Sequence, residues 1–289
     1  MKIVTKMIMI MAMGAMVFSG SQRTSNLGGT QYWSDDWDYV SIFPQAIGDH
    51  ANLGWYDGTN FTAYCGEGDK VWGLSLSGDN ANNLIDMNLG LSNGLGLAFS
   101  LDMDDDDATD DDWYLAAGKN LAFGNAAFHY DSNGDMGIAL ARAQSVIWWD
   151  NMFASLLMIA DDDDTADDDE SAMLLGADFY KNANGSLFGL GFNYNDYGDG
   201  ALWTTWTYAH EAQLFDWMTL RFGYSKGYDL MNSMGTEGGF TAGAGMTWGG
   251  WGLDVTVNDL SAVAGNPLHY ATGRNDDAVF AGLDLSYRW

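Results

Sequence analysis

The sequence predicts an all-β chain that folds as a transmembrane, antiparallel, up-and-down β-barrel. Three observations lead to this prediction: apolar residues recur at every second position from about residue 51 onward, the positions between them are small or polar, and aromatic residues gather near the ends of these stretches. Alternation with a period of two places one strand face in an apolar medium and the other in a polar one. A soluble β-sandwich or lipocalin-like barrel alternates too, but strands of about 9–11 residues with aromatic ends are typical of a membrane barrel.

The composition favours short strands joined by turns and excludes several functions. The chain has 289 residues, of which 40 are acidic, 11 are Lys or Arg and 37 are Gly, and only four of the acidic residues are Glu. Asp and Gly both favour turns. A formal charge of −29 leaves nothing to neutralise a phosphate backbone, which excludes nucleic-acid binding. The single cysteine, Cys65, excludes a disulfide framework and a thiolate metal site.

The first 21 residues have the order of a secretory signal peptide. Lys2 and Lys6 precede an apolar run over residues 7–18, and the small residues Ser19, Gly20 and Ser21 follow it. That run is too short to span a bilayer, so we expect the segment to be removed, after either Ser19 or Ser21. The domain prediction is then a signal peptide at 1–21, a periplasmic or lumen-plugging segment at 22–50 and a transmembrane barrel at 51–289.

Sixteen strands give the best count, with fourteen as the alternative because residues 51–77 hold either three short strands or two. The predicted strands are 51–57, 60–66, 70–77, 84–92, 95–103, 112–119, 122–130, 136–149, 152–160, 170–181, 186–195, 201–212, 218–228, 239–248, 251–259 and 278–289. Short turns alternate with longer connections, which places the short turns and the C-terminus on the periplasmic side. The predicted aromatic girdles are Trp113/Tyr114, Trp148/Trp149, Trp203/Trp206 and Trp248/Trp251.

One predicted strand breaks the pattern. In 136–149, Arg142 shares a face with the apolar residues Ile138 and Leu140. Either Arg142 extends to the periplasmic interface, or a bulge changes the phase of the strand.

The last twelve residues, AVFAGLDLSYRW, alternate apolar and polar side chains and stop on an aromatic residue. They resemble the C-terminal strand signal of Gram-negative outer-membrane β-barrels, with Gly282, Tyr287 and the terminal Trp289 in the positions of the glycine and the two aromatics. The resemblance implies a porin-like outer-membrane barrel of a Gram-negative-type bacterium. It also implies recognition by the barrel-assembly machinery, contact with outer-membrane lipid and the possibility of a homo-oligomer.

A second stretch, DDWDYVSIFPQAI at residues 35–47, resembles the N-terminal segment of FadL-like and PorV-like barrels, in which the chain enters the lumen as a plug. Here Phe43 and Pro44 begin the four residues that stand where that family has Asn-Pro-Ala. Trp37, Tyr39, Phe43 and Pro44 are the predicted plug residues, because so apolar a segment is unsuited to a free tail. The alternative is an ordinary periplasmic extension before the first strand.

The phase of the strands turns five carboxylates and two guanidinium groups toward the lumen. These candidates for ion selectivity are Asp86, Asp102, Asp178, Asp254 and Asp284, with Arg221 and Arg288. Rings of acidic side chains raise the local concentration of cations and disfavour anions. For Arg221, Arg288, Asp254 and Asp284 the alternative is structural pairing across neighbouring strands.

Two aspartate runs provide the main candidates for a metal site. They include Asp104, Asp105, Asp106, Asp107, Asp161, Asp162, Asp163 and Asp164. Carboxylate oxygens suit Ca²⁺, but the EF-hand spacing is absent, so a solvated loop is the main expectation and weak divalent binding the alternative. No other cofactor is expected. The four histidines are scattered, and the sequence shows no converging catalytic set, so we expect no enzyme activity.

The sequence therefore predicts a porin-like channel for passive diffusion of small polar solutes or ions, with a preference for cations. Two alternatives stay open. One is a FadL-like or PorV-like barrel for hydrophobic-ligand transport or secretion. The other is a structural or adhesive surface barrel with acidic loops that bind divalent ions.

Overall fold

A computed structural model gives the fold of this chain. It describes residues 22–27, 36–37, 39–58, 60–77, 85–102, 112–142, 147–159, 172–183, 186–196, 202–231, 234–235, 238–257 and 280–289. The predicted signal peptide and both aspartate runs lie outside these ranges. Among the described residues, three short helices precede the first strand: α1 (Gln22–Asn26), α2 (Tyr39–Ile42) and a 3-10 helix (Pro44–His50). None of the described helices is long and apolar enough to cross a membrane.

Sixteen strands follow, and each pairs with its sequence neighbours. They are β1 (Leu53–Tyr56), β2 (Asn60–Glu67), β3 (Lys70–Ser77), β4 (Ile85–Leu91), β5 (Leu95–Asp102), β6 (Asp112–Leu121), β7 (Gly124–Asp131), β8 (Met136–Arg142), β9 (Asn151–Ile159), β10 (Ala172–Ala183), β11 (Ser186–Asp196), β12 (Leu202–Phe215), β13 (Met218–Asp229), β14 (Gly239–Trp248), β15 (Trp251–Val257) and β16 (Phe280–Arg288). A two-residue strand, Met234–Gly235, also pairs with the end of β13.

The sheet closes on itself because β1 pairs with β16 as well as with β2. Leu53 lies opposite both Arg288 and Tyr64, and every pair in the sheet is antiparallel. Closure leaves no unpaired sheet edge. The predicted all-β, up-and-down barrel is confirmed, and so is the count of sixteen strands rather than fourteen, since residues 51–77 contain three strands. We call the rim at which β16 ends the C-terminal rim, and the opposite one the far rim.

The predicted strand 136–149 is too long. Strand β8 ends at Arg142, and its register with β9 is regular from Met136 to Arg142, so no bulge changes its phase there. Ile138 and Leu140 face outward, and the exposed Arg142 follows them at the C-terminal rim. Of the two alternatives, the structure therefore shows the one in which Arg142 extends to the rim.

The outer surface of the barrel carries exposed apolar side chains along the strands and exposed aromatic ones at the strand ends. Leu97 and Leu115 are 44% and 46% exposed on the wall, and Trp217 and Trp248 are about half exposed at turns of the C-terminal rim. The prediction of an interfacial girdle position is wrong for Tyr114. Tyr114 faces the lumen, because the inward phase of β6 runs through the buried residues Ala116 and Gly118.

Candidate functional site

The described residues that precede β1 lie in the barrel lumen. Helix α1 packs against β13, β14, β15 and β16, and the 3-10 helix packs against β2, β3, β4, β5 and β6. Helix α2 packs against the 3-10 helix. We call residues 22–27, 36–37 and 39–50 the lumen segment. Its first half, which holds α1, and its second half, which holds the 3-10 helix, lie against different parts of the inner wall.

Glycines on the inner face of the strands make room for the lumen segment. A Cβ atom at Gly96 of β5 would lie 2.0 Å from the backbone nitrogen of Gln45, and one at Gly90 of β4 would lie 2.3 Å from Cγ2 of Ile47. On the opposite half, a Cβ at Gly243 of β14 would lie 2.0 Å from Nδ2 of Asn26. Real Cβ atoms do not approach other atoms this closely, so at these three positions the segment fits against the wall because the wall carries glycine.

An aromatic cluster holds the second half of the lumen segment against the wall. Phe43 is fully buried and meets the fully buried Phe153 of β9 edge-on, with ring centroids 5.8 Å apart. The rings of Trp37 and of Trp55 on β1 are tilted by 30° to each other, with centroids 4.2 Å apart. Edge-to-face and offset-stacked rings add about 0.5–1.5 kcal/mol each beyond their buried area. The cluster is therefore a packed core inside the lumen.

An ion-pair network fastens the first half of the lumen segment. Arg23 of α1 donates from Nε and an NH2 group to the two carboxylate oxygens of Glu211 on β12, both at 3.1 Å. Glu211 also accepts a 2.7 Å hydrogen bond from Nε of Arg221 on β13. Arg221 in turn donates to Asp254 on β15. Bidentate, charge-assisted bonds of this kind fix orientation as well as adding energy.

The network extends back into the lumen segment. Arg23 lies 3.9 Å from the carboxylate of Asp36, which is 5% exposed. The buried side chains of the network are thus charged groups that lie against charged partners, as buried charges require. The first half of the segment is held by polar contacts, whereas the second half is held by apolar ones.

A cavity of about 480 Å³ remains between the lumen segment and the far rim. The polar residues of its lining include two carboxylates and several amides and hydroxyls: Asp57, Asn60, Ser75, Asp86, Asn88 and Ser100. The lining also includes aromatic side chains, among them Trp37, Trp55, Tyr64 and Tyr114. Among the described residues, no lysine or arginine lines this cavity.

The side chains of the cavity wall come from strands of alternating direction. Asp86 on β4 lies directly opposite Ser100 on β5, with both at the far half of the barrel. Tyr114 on β6 contacts Nδ1 of His129 and donates a 3.5 Å hydrogen bond to the backbone oxygen of Ser41 in α2. The lumen segment therefore forms the floor of the cavity, and the strands β1 to β6 form its wall.

The predicted selectivity residues lie in different surroundings. Asp86 lines the cavity, Asp178 is 3% exposed on β10, and Arg288 is exposed at the C-terminal rim. Asp102 ends β5, and its side chain lies outside the described part of the chain. Arg221 and Asp254 form an ion pair, although their strands are not neighbours, so the predicted pairing across neighbouring strands is wrong in this detail.

Most of the remaining predicted residues contact the lumen segment or belong to it, and two lie at the C-terminal rim. Asp284 accepts a 2.6 Å hydrogen bond from the backbone nitrogen of Gln22. Trp37, Tyr39, Phe43 and Pro44 all lie in the lumen segment. Tyr287 stacks with Trp289 at the C-terminal rim, while Gly282 lies against the side chain of Gln22.

Sequence reasoning missed the residues that connect the lumen segment to the wall. Glu211, Arg23 and Asp36 were not predicted as site residues. Glu211 carried two signals: it is one of only four glutamates, and it lies on the inward phase of its strand, next to a buried run of Thr207 and Ala209. Arg23 and Asp36 carried no comparable signal, because nothing in a single sequence shows which wall residues a preceding segment meets.

The described residues contain no group of three or more His, Cys, Asp or Glu side chains placed to hold a metal ion. Asp104, Asp105, Asp106, Asp107, Asp161, Asp162, Asp163 and Asp164 lie outside the described residues. What the lumen offers chemically is an acidic, hydrogen-bonding cavity with an aromatic floor. A scan against protein-family models finds no match for this chain, and a search of curated proteins finds none either.

Proposed function

We propose that this protein is an outer-membrane channel for passive diffusion of small polar solutes, with a preference for cations. The observation that carries the proposal is the cavity of about 480 Å³, which presents Asp57 and Asp86 among hydroxyls and amides. A sixteen-strand barrel is wide enough to enclose an aqueous path. The lumen segment would narrow that path to the space between its own side chains and the barrel wall.

The membrane orientation follows from the two rims. The exposed apolar wall would contact lipid, with the aromatic side chains of both rims at the interfaces. The C-terminal rim, where the connections are short, would face the periplasm, and the cavity would open toward the cell exterior. The outer membrane of a Gram-negative-type bacterium, with its barrel-assembly machinery, is the compartment that this orientation requires.

The preference for cations rests on the charges that face the cavity. The carboxylates of Asp57 and Asp86 line the cavity, and carboxylates lower the local potential, which concentrates cations and repels anions. Ring faces of Trp37 and Tyr114 carry partial negative charge and add to this effect. An inorganic cation or a small cationic solute fits the cavity better than an anion.

A barrel that carries hydrophobic ligands is the second candidate, because a lumen segment of this kind is what the resemblance to FadL-like barrels implies. The described lumen favours polar cargo instead. The apolar side chains of Phe43 and Ile47 are buried against the wall rather than turned to the cavity, and Trp37 lines the cavity beside carboxylates, amides and hydroxyls. Weak divalent binding by the aspartate runs remains a prediction.

Single-channel recording in a planar bilayer under a KCl gradient tests the proposal. We expect discrete open steps and a reversal potential of the sign that cation selectivity gives. Asp86→Asn should lower the cation-to-anion permeability ratio by up to about fivefold, which corresponds to one charge acting over a few ångströms of water. Asp216→Asn, the same change at an exposed turn of the C-terminal rim, is the matched control and should leave the ratio unchanged. A correctly folded barrel that stays electrically silent would overturn the channel.

A further inference from the structure

The backbone nitrogen at the start of α1 points at a buried carboxylate of the wall. The nitrogen of Gln22 lies 2.6 Å from Oδ2 of Asp284 on β16, and both residues are 4% exposed. The contact joins the beginning of the lumen segment to the last strand of the barrel. It lies inside the lumen, where burying a carboxylate costs free energy unless hydrogen bonds or opposite charges stabilise it.

The wall around Gln22 is shaped to its other atoms as well. A Cβ at Gly282, which shares the inner face of β16 with Asp284, would lie 2.3–2.5 Å from the side-chain amide of Gln22. Thr256 on the neighbouring strand β15 donates a 3.5 Å hydrogen bond from Oγ1 to the backbone oxygen of Gln22. Nitrogen, side chain and carbonyl of one residue therefore each meet a separate wall residue.

The sequence before Gln22 leaves two bonds open to a leader peptidase. Small residues stand at the first and third positions before the bond that follows Ser21, namely Ser21 and Ser19, as in the A-x-A pattern of such sites. Cleavage after Ser19 would leave two more residues in front of the nitrogen that meets Asp284. The two bonds differ in their consequence, because only cleavage after Ser21 turns that nitrogen into an amine.

We propose that the chain is processed between Ser21 and Gln22, and that the new α-ammonium group of Gln22 forms a buried ion pair with Asp284 that seats the lumen segment. The proposal goes beyond channel function, since it holds whether or not the barrel conducts. Removal of the signal peptide then adds a charge to a contact that the chain already makes.

The processing step is a hydrolysis catalysed by the leader peptidase of the export pathway. The bond between the carbonyl carbon of Ser21 and the nitrogen of Gln22 breaks. Water supplies a hydroxyl to the carbonyl, which becomes the carboxylate of the released peptide, and a proton to the nitrogen. The amine then takes a second proton from solvent, because an α-amino group titrates near pH 8. A neutral amide donor thereby becomes a cation, and a hydrogen bond to an ionised partner is roughly twice as strong as a neutral one.

The intact mass and the N-terminal sequence of the protein purified from outer membranes provide the first test. We expect the mass of residues 22–289 and a sequence that begins at Gln22. A start at Gly20 or at any other residue would overturn the processing site. The mass of 22–289 less one ammonia would show a cyclised N-terminal glutamine, which has no ammonium group, and would overturn the ion pair.

Amine labelling of the folded barrel provides the second test. In the folded protein we expect the Gln22 amine to be acetylated at least about tenfold more slowly than the exposed Lys70 amine, although an unprotected α-amine is the more reactive of the two at neutral pH. The protection should vanish on unfolding. Asp284→Asn, which keeps the shape of the side chain and removes its charge, should speed labelling of Gln22 by about tenfold.

A matched change elsewhere separates the ion pair from a general loosening of the lumen. Asp86→Asn removes a carboxylate from the cavity wall, four strands from Asp284, and should leave the labelling of Gln22 unchanged. Equal acceleration in both variants, or fast labelling of Gln22 in the unmodified barrel, would overturn the pairing. Because labelling requires no ion flow, failure of this test is distinguishable from failure of the channel proposal.

Discussion

Arg221 on β13 reaches Asp254 on β15 across the intervening strand β14. It does so over Gly245, where a Cβ atom would lie 2.6 Å from both a terminal nitrogen of Arg221 and Oδ1 of Asp254. The side chain of Arg221 is only 10% exposed and that of Asp254 27%. Because β14 carries no side chain at Gly245, an ion pair can form between its two neighbouring strands, β13 and β15. Arg221 also connects this pair to Glu211 on β12.

Gly245→Val should break that ion pair. The added side chain occupies the space of the guanidinium, so a mostly buried cation loses one of its two carboxylate partners. We expect a loss of roughly 2–3 kcal/mol in the free energy of unfolding, less than the 3–5 of a fully buried pair because Asp254 is partly exposed. Urea unfolding in lipid vesicles, followed by tryptophan fluorescence, measures it. Gly239→Val is the control on the same strand, since a Cβ at Gly239 meets nothing within 4 Å. Equal losses in both variants would contradict the prediction.

The contact between Arg23 and Glu211 should show energetic coupling. Glu211 accepts two hydrogen bonds from Arg23 and one from Arg221, so it joins the lumen segment to the wall. In a double-mutant cycle with Arg23→Met and Glu211→Gln, we expect a coupling energy of about 1–3 kcal/mol in unfolding. Single effects that simply add would show that the two side chains contribute independently, against the network described above.

The barrel itself was predictable because its signal is local. A strand with one apolar face and one polar face shows a sequence pattern that repeats every two residues, and turns interrupt this pattern. The run from Leu95 to Leu101 shows this: Leu97 is exposed and Gly96 is buried, as their phase requires. The rim at which each strand ends follows from the strand order, because each strand of an up-and-down barrel runs opposite to the one before it. The strand count was less certain, because alternation alone does not show whether residues 51–77 hold three strands or two.

The contents of the lumen were less predictable because they depend on contacts between distant residues. An inward glycine such as Gly96 reads as an ordinary small lumen residue, yet the structure places the Gln45 backbone against it. Arg221 and Asp254 were expected to pair across neighbouring strands, but Gly245 lets them pair across one. Tyr114 looked like an interfacial residue, since alternation alone does not show which of two adjacent aromatics faces inward.

Gly96→Val should displace the lumen segment. The added side chain would overlap the backbone of Gln45 and the preceding peptide, which cannot rotate away as a side chain can. Because the 3-10 helix then loses its place on β5, we expect larger single-channel conductance and cleavage by added protease within residues 36–50. Gly239→Val, at an open position of the wall, should keep the native conductance and protease resistance. If Gly96→Val kept the native conductance and protease resistance, strand β5 rather than the lumen segment would have moved to accommodate the valine.

The carboxyl group of Asp150, in a turn of the C-terminal rim, should titrate below its ordinary range. The hydrogen bond from the Lys181 ammonium, at 2.8 Å, and a second from the backbone nitrogen of Asn182, at 2.9 Å, lower the pKa of Asp150. A lowered carboxyl pKa contributes stability above the pKa of the unfolded chain, and that contribution is lost as the pH falls through the folded value. We expect NMR titration of the detergent-solubilised barrel to show the Asn182 amide shift following this low midpoint. Lys181→Gln should raise the midpoint toward the ordinary value for Asp, because the remaining amide donor is neutral. Lys226→Gln is the control. Lys226 lies on β13, over the ring of Tyr228 and away from Asp150, so its loss should leave the midpoint unchanged.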